Sequence, residues 1–228
     1  MPNWCSNTLV ISKATNPQIE RIIAAATREE LLNEFLPQPI WESTPDEEGV
    51  LPGPRYKVRY FDRATGRTRA WTTGPAFPDG SHDSRWYDWS VSHWGTKWDV
   101  GEVSITQEGS DLFLSFNTAW SPVSNEWLEA LAAAIPGAQI RNTFSEPGCD
   151  FYGFSQVNEL TAHTHIGDIS TIRDEWIKAN FSQEQIEIFN DENHEDHYEV
   201  YDEIFEAWWD VETDQLDREM SNCALVCN

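Results

Sequence analysis

Two histidine pairs have spacings that would allow metal chemistry. His163-x-His165 with Asp168, and His194 with His197 beside Glu195 and Asp196, would each bring two ring nitrogens near one metal, the first pair if on a strand and the second if on a helix. Neither pair has a third and fourth ligand at a recognised zinc spacing, so ordinary surface histidines and no metal or cofactor are expected. His93 stands among Trp86, Trp89, Trp94 and Trp98 with Asp99 close by. An imidazole walled by indoles can serve as a general base. No nucleophile, second base or phosphate loop accompanies it, and large aromatics commonly pack a core. The Trp86 to Trp98 stretch therefore reads as core or as pocket, with an enzyme centred on it as one functional alternative.

Charge is the stronger signal. Fifteen acidic residues and one basic residue lie between Glu184 and Glu219, interleaved with Phe189, Tyr198, Tyr201, Phe205, Trp208 and Trp209. Residues 157–228 hold nineteen Asp/Glu against three Lys/Arg, and the whole chain carries a net charge of −24. Such a surface repels phosphates, which argues against direct duplex DNA binding by the C-terminal region or adhesion to an anionic membrane, and favours a cationic partner. As one continuous helix the tract of 36 residues would span about 54 Å, with one carboxylate per about 3.6 Å. The charge interval along one DNA strand is about 3.4 Å, so a DNA-mimicking surface is the reading taken, centred on Glu195, Asp196, Glu199, Asp202, Glu203, Glu206 and Asp210. The aromatic residues are expected to turn inward. The opposite sign is concentrated in Arg55, Lys57, Arg59, Arg63, Arg67 and Arg69, six of the fifteen basic residues, near Tyr56, Tyr60 and Trp71 as stacking platforms. This basic hairpin would contact nucleic acid, pair with acidic surface of the same chain or of a second copy in a homodimer, or stand as a solvated edge protected by its charge.

These residues need a scaffold, and hydrophobic content of 39% with twelve Trp supports a folded chain. Trp4 to Ser12 reads as a strand. Asn16-Pro17 opens a helix carrying Ile19, Ile22, Ile23 and Ala26, and Thr27-x-x-Glu30 resembles a capping box for a second helix. Prolines and glycines from Pro37 to Pro54 mark an insertion, extending to about residue 99, which contains a hairpin between Arg55 and Thr72. Glu102 to Gln107 and Leu112 to Asn117 form a second hairpin. Ser121-Pro122 opens a helix with Trp127, Leu128, Leu131 and Ile135 on one face, and Gln139 to Phe144 and Asp150 to Gln156 are closing strands. The order contains a split βαβ sheet with helices on one face, an α+β, ferredoxin-like antiparallel domain over residues 1–156. Residues 157–228 form an acidic, mainly helical region, with helix starts at Thr171-x-x-Asp174 and Ser182-x-x-Gln185. Scattered cysteines and the lack of a basic segment leading into an apolar one point to the cytoplasm.

Five strings stand out as signatures: Met-Pro-Asn-Trp-Cys-Ser-Asn at residues 1–7, Leu32-Asn-Glu-Phe-Leu-Pro37, Trp86-Tyr-Asp-Trp89 with His93-Trp-Gly-Thr-Lys-Trp-Asp99, Phe116-Asn-Thr-Ala-Trp-Ser-Pro122 and Gly148-Cys-Asp-Phe-Tyr-Gly153. Together they resemble a family of plasmid- and phage-encoded proteins typified by YubB and the Api-like phage proteins, in which a ferredoxin-like domain is described. The resemblance spans about residues 1–156 and brings no catalytic residues with it. It implies a mobile-element protein working in a bacterial host. The resulting expectation is a non-enzymatic inhibitor of a host nucleic-acid-binding protein or defence complex. A nucleic-acid-binding accessory protein using the basic hairpin is the other alternative.

Overall fold

The computed structural model describes residues 3–53, 57–62, 67–72, 76–79 and 81–226. Strand β1 (Trp4–Ser12) alternates, with Cys5, Asn7, Leu9 and Ile11 buried on one face and Trp4 and Ser6 exposed on the other. Helix α1 (Asn16–Thr27) starts one residue earlier than Asn16 suggests, because the Thr15 N–H donates to Gln18 Oε1 at 2.7 Å and Thr15 becomes the N-cap. Thr27 opens nothing. Its hydroxyl donates back to the Ile23 carbonyl at 2.7 Å and it ends α1. The short helix α2 (Leu31–Phe35) is capped from elsewhere: Asp99 accepts the N–H groups of Leu32 and Asn33, each at 2.8 Å.

In the insertion, β2 (Lys57–Asp62) pairs with β3 (Arg67–Thr72) as a separate two-stranded sheet, the hairpin expected from the alternation. The Trp-rich stretch that follows is helical, α3 (Arg85–Trp94), and closes on Gly95 at φ 79°. A Cβ there would lie 2.6 Å from the Pro122 carbonyl oxygen, so both the left-handed conformation and the close approach require glycine. Strands β4 (Ser104–Glu108) and β5 (Asp111–Ala119) form the second hairpin. Helix α4 (Asn125–Ala134) begins beyond Ser121-Pro122: Ser124 is its cap, accepting the Trp127 N–H at 3.0 Å while its hydroxyl donates to the His93 carbonyl. Strands β6 (Gln139–Glu146), β7 (Phe151–Asn158) and β8 (Thr161–Asp168) follow.

All six strands of the main sheet pair antiparallel in the order β4-β5-β1-β6-β7-β8. The first four make the ferredoxin-like arrangement, with two split βαβ crossings, β1 to β4 over β5 and β5 to β6 over β1. β8 pairs with β7 along its whole length, from Thr161 opposite Asn158 to Asp168 opposite Phe151, so the sheet continues past residue 156, which itself falls inside β7. Helices also cover both faces, where one face was expected. On the first, Leu9, Ile11, Leu112 and Leu114 meet Ile22, Trp127, Leu128 and Leu131 in the main core. The fully buried Trp127 indole donates to the Leu32 carbonyl at 3.1 Å, which meets the polar demand of burying so large a side chain.

The other face is covered at the β7–β8 end by the C-terminal helices α5 (Ile169–Asn180), α6 (Gln183–Asn190) and α7 (His197–Val226). Tyr152 and Phe154 pack there against Ile169, Trp208 and Leu216. Helix α5 starts directly after β8, ahead of Thr171, held by Asp150, which accepts from the Ser170 N–H and hydroxyl at 2.7 and 2.5 Å. Helix α6 carries the capping box read from Ser182 and Gln185. Among the described residues, no helix is long and apolar enough to cross a membrane.

Candidate functional site

The acidic tract is two helices, not one rod. Residues Asp191 to Asp196 interrupt it, and α6 folds back on α7 through Phe189, which stacks on Tyr201 at 5.5 Å between ring centroids. Its 54 Å length is therefore not realised. The inward face of α7 is Val200, Ile204, Trp208 and Leu216, all buried. Trp208 fits the expected inward turn, while Tyr198 at 77% and Trp209 at 62% exposure point outward. Phe205 is partly buried, and Tyr201 stacks on it at 4.5 Å at the exposed margin.

Glu199, Asp202, Glu203, Glu206, Asp210 and Asp214 are all exposed. At 3.6 residues per turn they occupy about one third of the helix circumference, opposite the buried stripe, over about 22 Å. Their mean axial interval is about 4.5 Å, somewhat wider than on a DNA strand at about 3.4 Å. Glu195 and Asp196 are exposed on the turn before α7. Glu212 differs: it is partly buried, which raises its pKa, and the Trp208 indole and Arg173 pull in the opposite direction.

The basic hairpin is described only in its backbone. Arg59 is registered opposite Ala70 and Arg69 opposite Tyr60, and Lys57 and Arg67 begin the two strands. Arg55 and Arg63, and the side chains of all six basic residues, lie outside the described residues, so no role assigned to the hairpin is addressed. His163 and His165 occupy β8, where His165 lies 5.8 Å from Phe154. His197 is buried with Nδ1 3.2 Å from the Ile188 carbonyl, and His194 Nδ1 accepts the Asp196 N–H at 3.2 Å. Among the described residues no group of three or more His, Cys, Asp or Glu side chains could hold a metal ion.

The Trp86 to Trp98 cluster divides between core and cavity. Trp94 is buried and its indole donates to the Leu36 carbonyl at 2.8 Å, while Trp89 packs beside it with His93 stacked on its ring at 4.3 Å and 7°. His93 Nδ1 is 2.9 Å from the Trp89 carbonyl. Trp98 instead reaches a cavity of about 390 Å³ at the end of β1 and β5, lined also by Trp4, Thr96, Asp99, Glu102 and Asn117. Trp4 and Trp98 face each other with centroids 6.4 Å apart and planes inclined by 36°. His93 is not among the lining residues. Burial raises the Asp99 pKa despite three stabilising backbone N–H donors, from Leu32, Asn33 and Val100.

A polar belt runs beneath this site. Asn7 Nδ2 donates to Thr118 Oγ1 at 2.8 Å and its Oδ1 accepts from Asn142 at 3.0 Å, both across the core face of the sheet. Cys5 beside them is fully buried, and burial pushes its thiol up to about 12, so it is an inert thiol at neutral pH. Sequence reading did not assemble Trp4, Thr96, Glu102 and Asn117 as a site. Three of them sit inside the signature strings, the one signal that pointed to them, but it is the β1–β5 pairing that brings Trp4 to Asn117, and the Ala119 N–H bond to Thr96 Oγ1 that ties on the loop after α3.

Residues 93–202 match the model for the ferredoxin-like domain in Api92-like protein. Among solved structures, the crystal structure of a protein api92 from Yersinia pseudotuberculosis aligns with 74% of this chain and 98% of that chain, at 12% sequence identity and a TM-score of 0.41. No curated protein matches. The matched segment runs from α3 to the first turns of α7, so it includes β8 and two of the C-terminal helices. Residues 93–202 of this chain are thus similar to the ferredoxin-like domain in Api92-like protein.

Proposed function

We propose that the chain is a binding protein that uses the exposed carboxylates of α7 to occupy a basic groove on a nucleic-acid-handling partner. The observation that carries this reading is the opposition of two faces on one helix: Glu199, Asp202, Glu203, Glu206 and Asp210 outward, Val200 and Ile204 buried against α5 and α6, and Trp208 buried against the sheet. Anchoring fixes the carboxylates in space, so they meet cationic side chains without first ordering a flexible segment, a cost that weakens binding by disordered acidic tails. The partner we have in mind is a host defence complex or other nucleic-acid-binding protein, with this chain encoded by a mobile element in a bacterial cytoplasm. The resemblance of the five signature strings to plasmid- and phage-encoded proteins supports that context, and the acidic face supports the partner's chemistry.

The test is affinity capture from bacterial lysate by the full chain, alongside the E199Q/D202N/E203Q/E206Q variant. Nucleic-acid-handling proteins captured by the parent, released by added duplex DNA and lost with the variant would support the reading. Capture that survives neutralisation, or that DNA does not disturb, would remove it.

A further inference from the structure

We propose that the cavity between Trp4 and Trp98 is a binding site for an alkylated ammonium group. Its volume of about 390 Å³ falls within the range typical of small-ligand sites. Both indoles are about half exposed, Trp4 at 51% and Trp98 at 43%, and their 36° inclination forms an open wedge of two π surfaces, not a closed stack. Two carboxylates, Asp99 and Glu102, complete the lining, and no Lys or Arg contributes to it among the described residues. An anionic ligand would meet two carboxylates in the lining, and the chain's net charge of −24 adds to the repulsion. Cations gain from both the π faces and the carboxylates.

The hydrogen-bonding state of the lining narrows the choice further. Asp99 already accepts three backbone N–H groups, Thr96 Oγ1 accepts the Ala119 N–H at 2.8 Å, and Thr118 donates to the Ser121 carbonyl at 2.6 Å while accepting from Asn7. Groups committed in this way offer little to a sugar or a nucleobase, which depend on directional hydrogen bonds. The carboxylates Asp99 and Glu102 still supply charge to a ligand that needs no directional hydrogen bond, and a methylated ammonium is such a ligand. The molecule already uses Trp98 for this purpose: the Lys97 ammonium, which does not line the cavity, lies 4.5 Å from the Trp98 ring centroid and 5.4 Å from that of Tyr87.

The experiment titrates the full chain with choline and, separately, with 3,3-dimethylbutan-1-ol, its uncharged counterpart, at constant ionic strength. The readout is the indole N–H resonances of Trp4 and Trp98 in nuclear magnetic resonance spectra, assigned with W4F and W98F. Choline should shift both resonances saturably, the alcohol should bind at least about tenfold more weakly, and W98A or E102Q should each weaken choline by about three- to tenfold. W4A provides a second reading if W98A perturbs the core spectrum. The E199Q/D202N/E203Q/E206Q variant should bind choline as the parent does, which separates this site from the α7 face. Absence of saturable shifts, equal binding of the alcohol, or choline binding indifferent to both tryptophans would overturn the proposal.

Discussion

Trp208→Ala should release α7 from the sheet, and its neighbour provides the control. Trp208 is 2% exposed, lies 5.6 Å from the Trp176 ring centroid and packs on Tyr152 and Phe154. An indole buries on the order of 200 Å², worth about 5 kcal/mol at about 25 cal/mol per Å². Alanine retains part of that, and large-to-small changes of this kind cost about 3–5 kcal/mol. For a chain of this size each kcal/mol lowers Tm by about 2–4 °C, so a fall of roughly 6–20 °C is expected. Trp209, at 62% exposure, should cost no more than about 0.5 kcal/mol on the same change. Thermal unfolding of the two variants, with urea titration for the free energies, measures the contrast. Equal losses, or a larger loss at Trp209, would mean that α7 is rotated by about 100° from the orientation described. The carboxylate stripe would then be turned by the same angle toward the packed side, and the proposed function would lose its basis.

The E199Q/D202N/E203Q/E206Q variant should keep the fold and gain stability at low salt, because five like-charge contacts at i,i+3 or i,i+4 disappear at about 0.2–0.5 kcal/mol each. The gain should shrink in high salt, and a loss of stability at both salt levels would show that these side chains hold structure instead. Asp99→Asn should cost about 1–3 kcal/mol by weakening the cap of α2. Burial raises the folded pKa of Asp99, so the parent loses stability as pH climbs from the ordinary Asp value through the raised one. The cost of D99N, measured by urea unfolding across that window, should therefore be largest at its acid end. Gly95→Ala should destabilise by more than Gly109→Ala, since both have positive φ but only Gly95 places its added Cβ against backbone, 2.6 Å from the Pro122 oxygen. Comparable melting temperatures for the two would contradict that close approach.

Alternation and caps made much of the scaffold readable. Leu9-Val10-Ile11, the hairpin from Lys57 to Thr72 and the apolar face Trp127-Leu128-Leu131 are local signals, and each element formed where its signal lay. β8 was overlooked because Thr-Ala-His-Thr-His-Ile-Gly-Asp has no apolar face; as an edge strand it buries only Ala162. The helix starts misread at Thr27 and Thr171 show tertiary caps replacing local ones, since Asp99 and Asp150 reach the true N-terminal ends from distant segments. On α7 the aromatics dominate the sequence pattern, yet three of the four buried anchors are aliphatic, Val200, Ile204 and Leu216. The cavity could not be assembled from sequence, because its residues lie near positions 4, 98 and 117 and meet only through long-range strand pairing and the Ala119–Thr96 hydrogen bond.

The position of β1 at the centre of the sheet bears on how the chain leaves the ribosome. β1 is made first, yet both of its neighbours, β5 and β6, come later, β5 beginning about 100 residues downstream at Asp111. At roughly 5–20 residues per second, its two unpaired edges remain open for about 5–20 s, with Leu9-Val10-Ile11 at their centre. During that interval the strand is a template for any other nascent chain, the hazard that buried central strands escape only once folded. Chaperone dependence during synthesis should therefore be governed by β1, and slowing translation before residue 111 should lower soluble yield more than slowing it after residue 146.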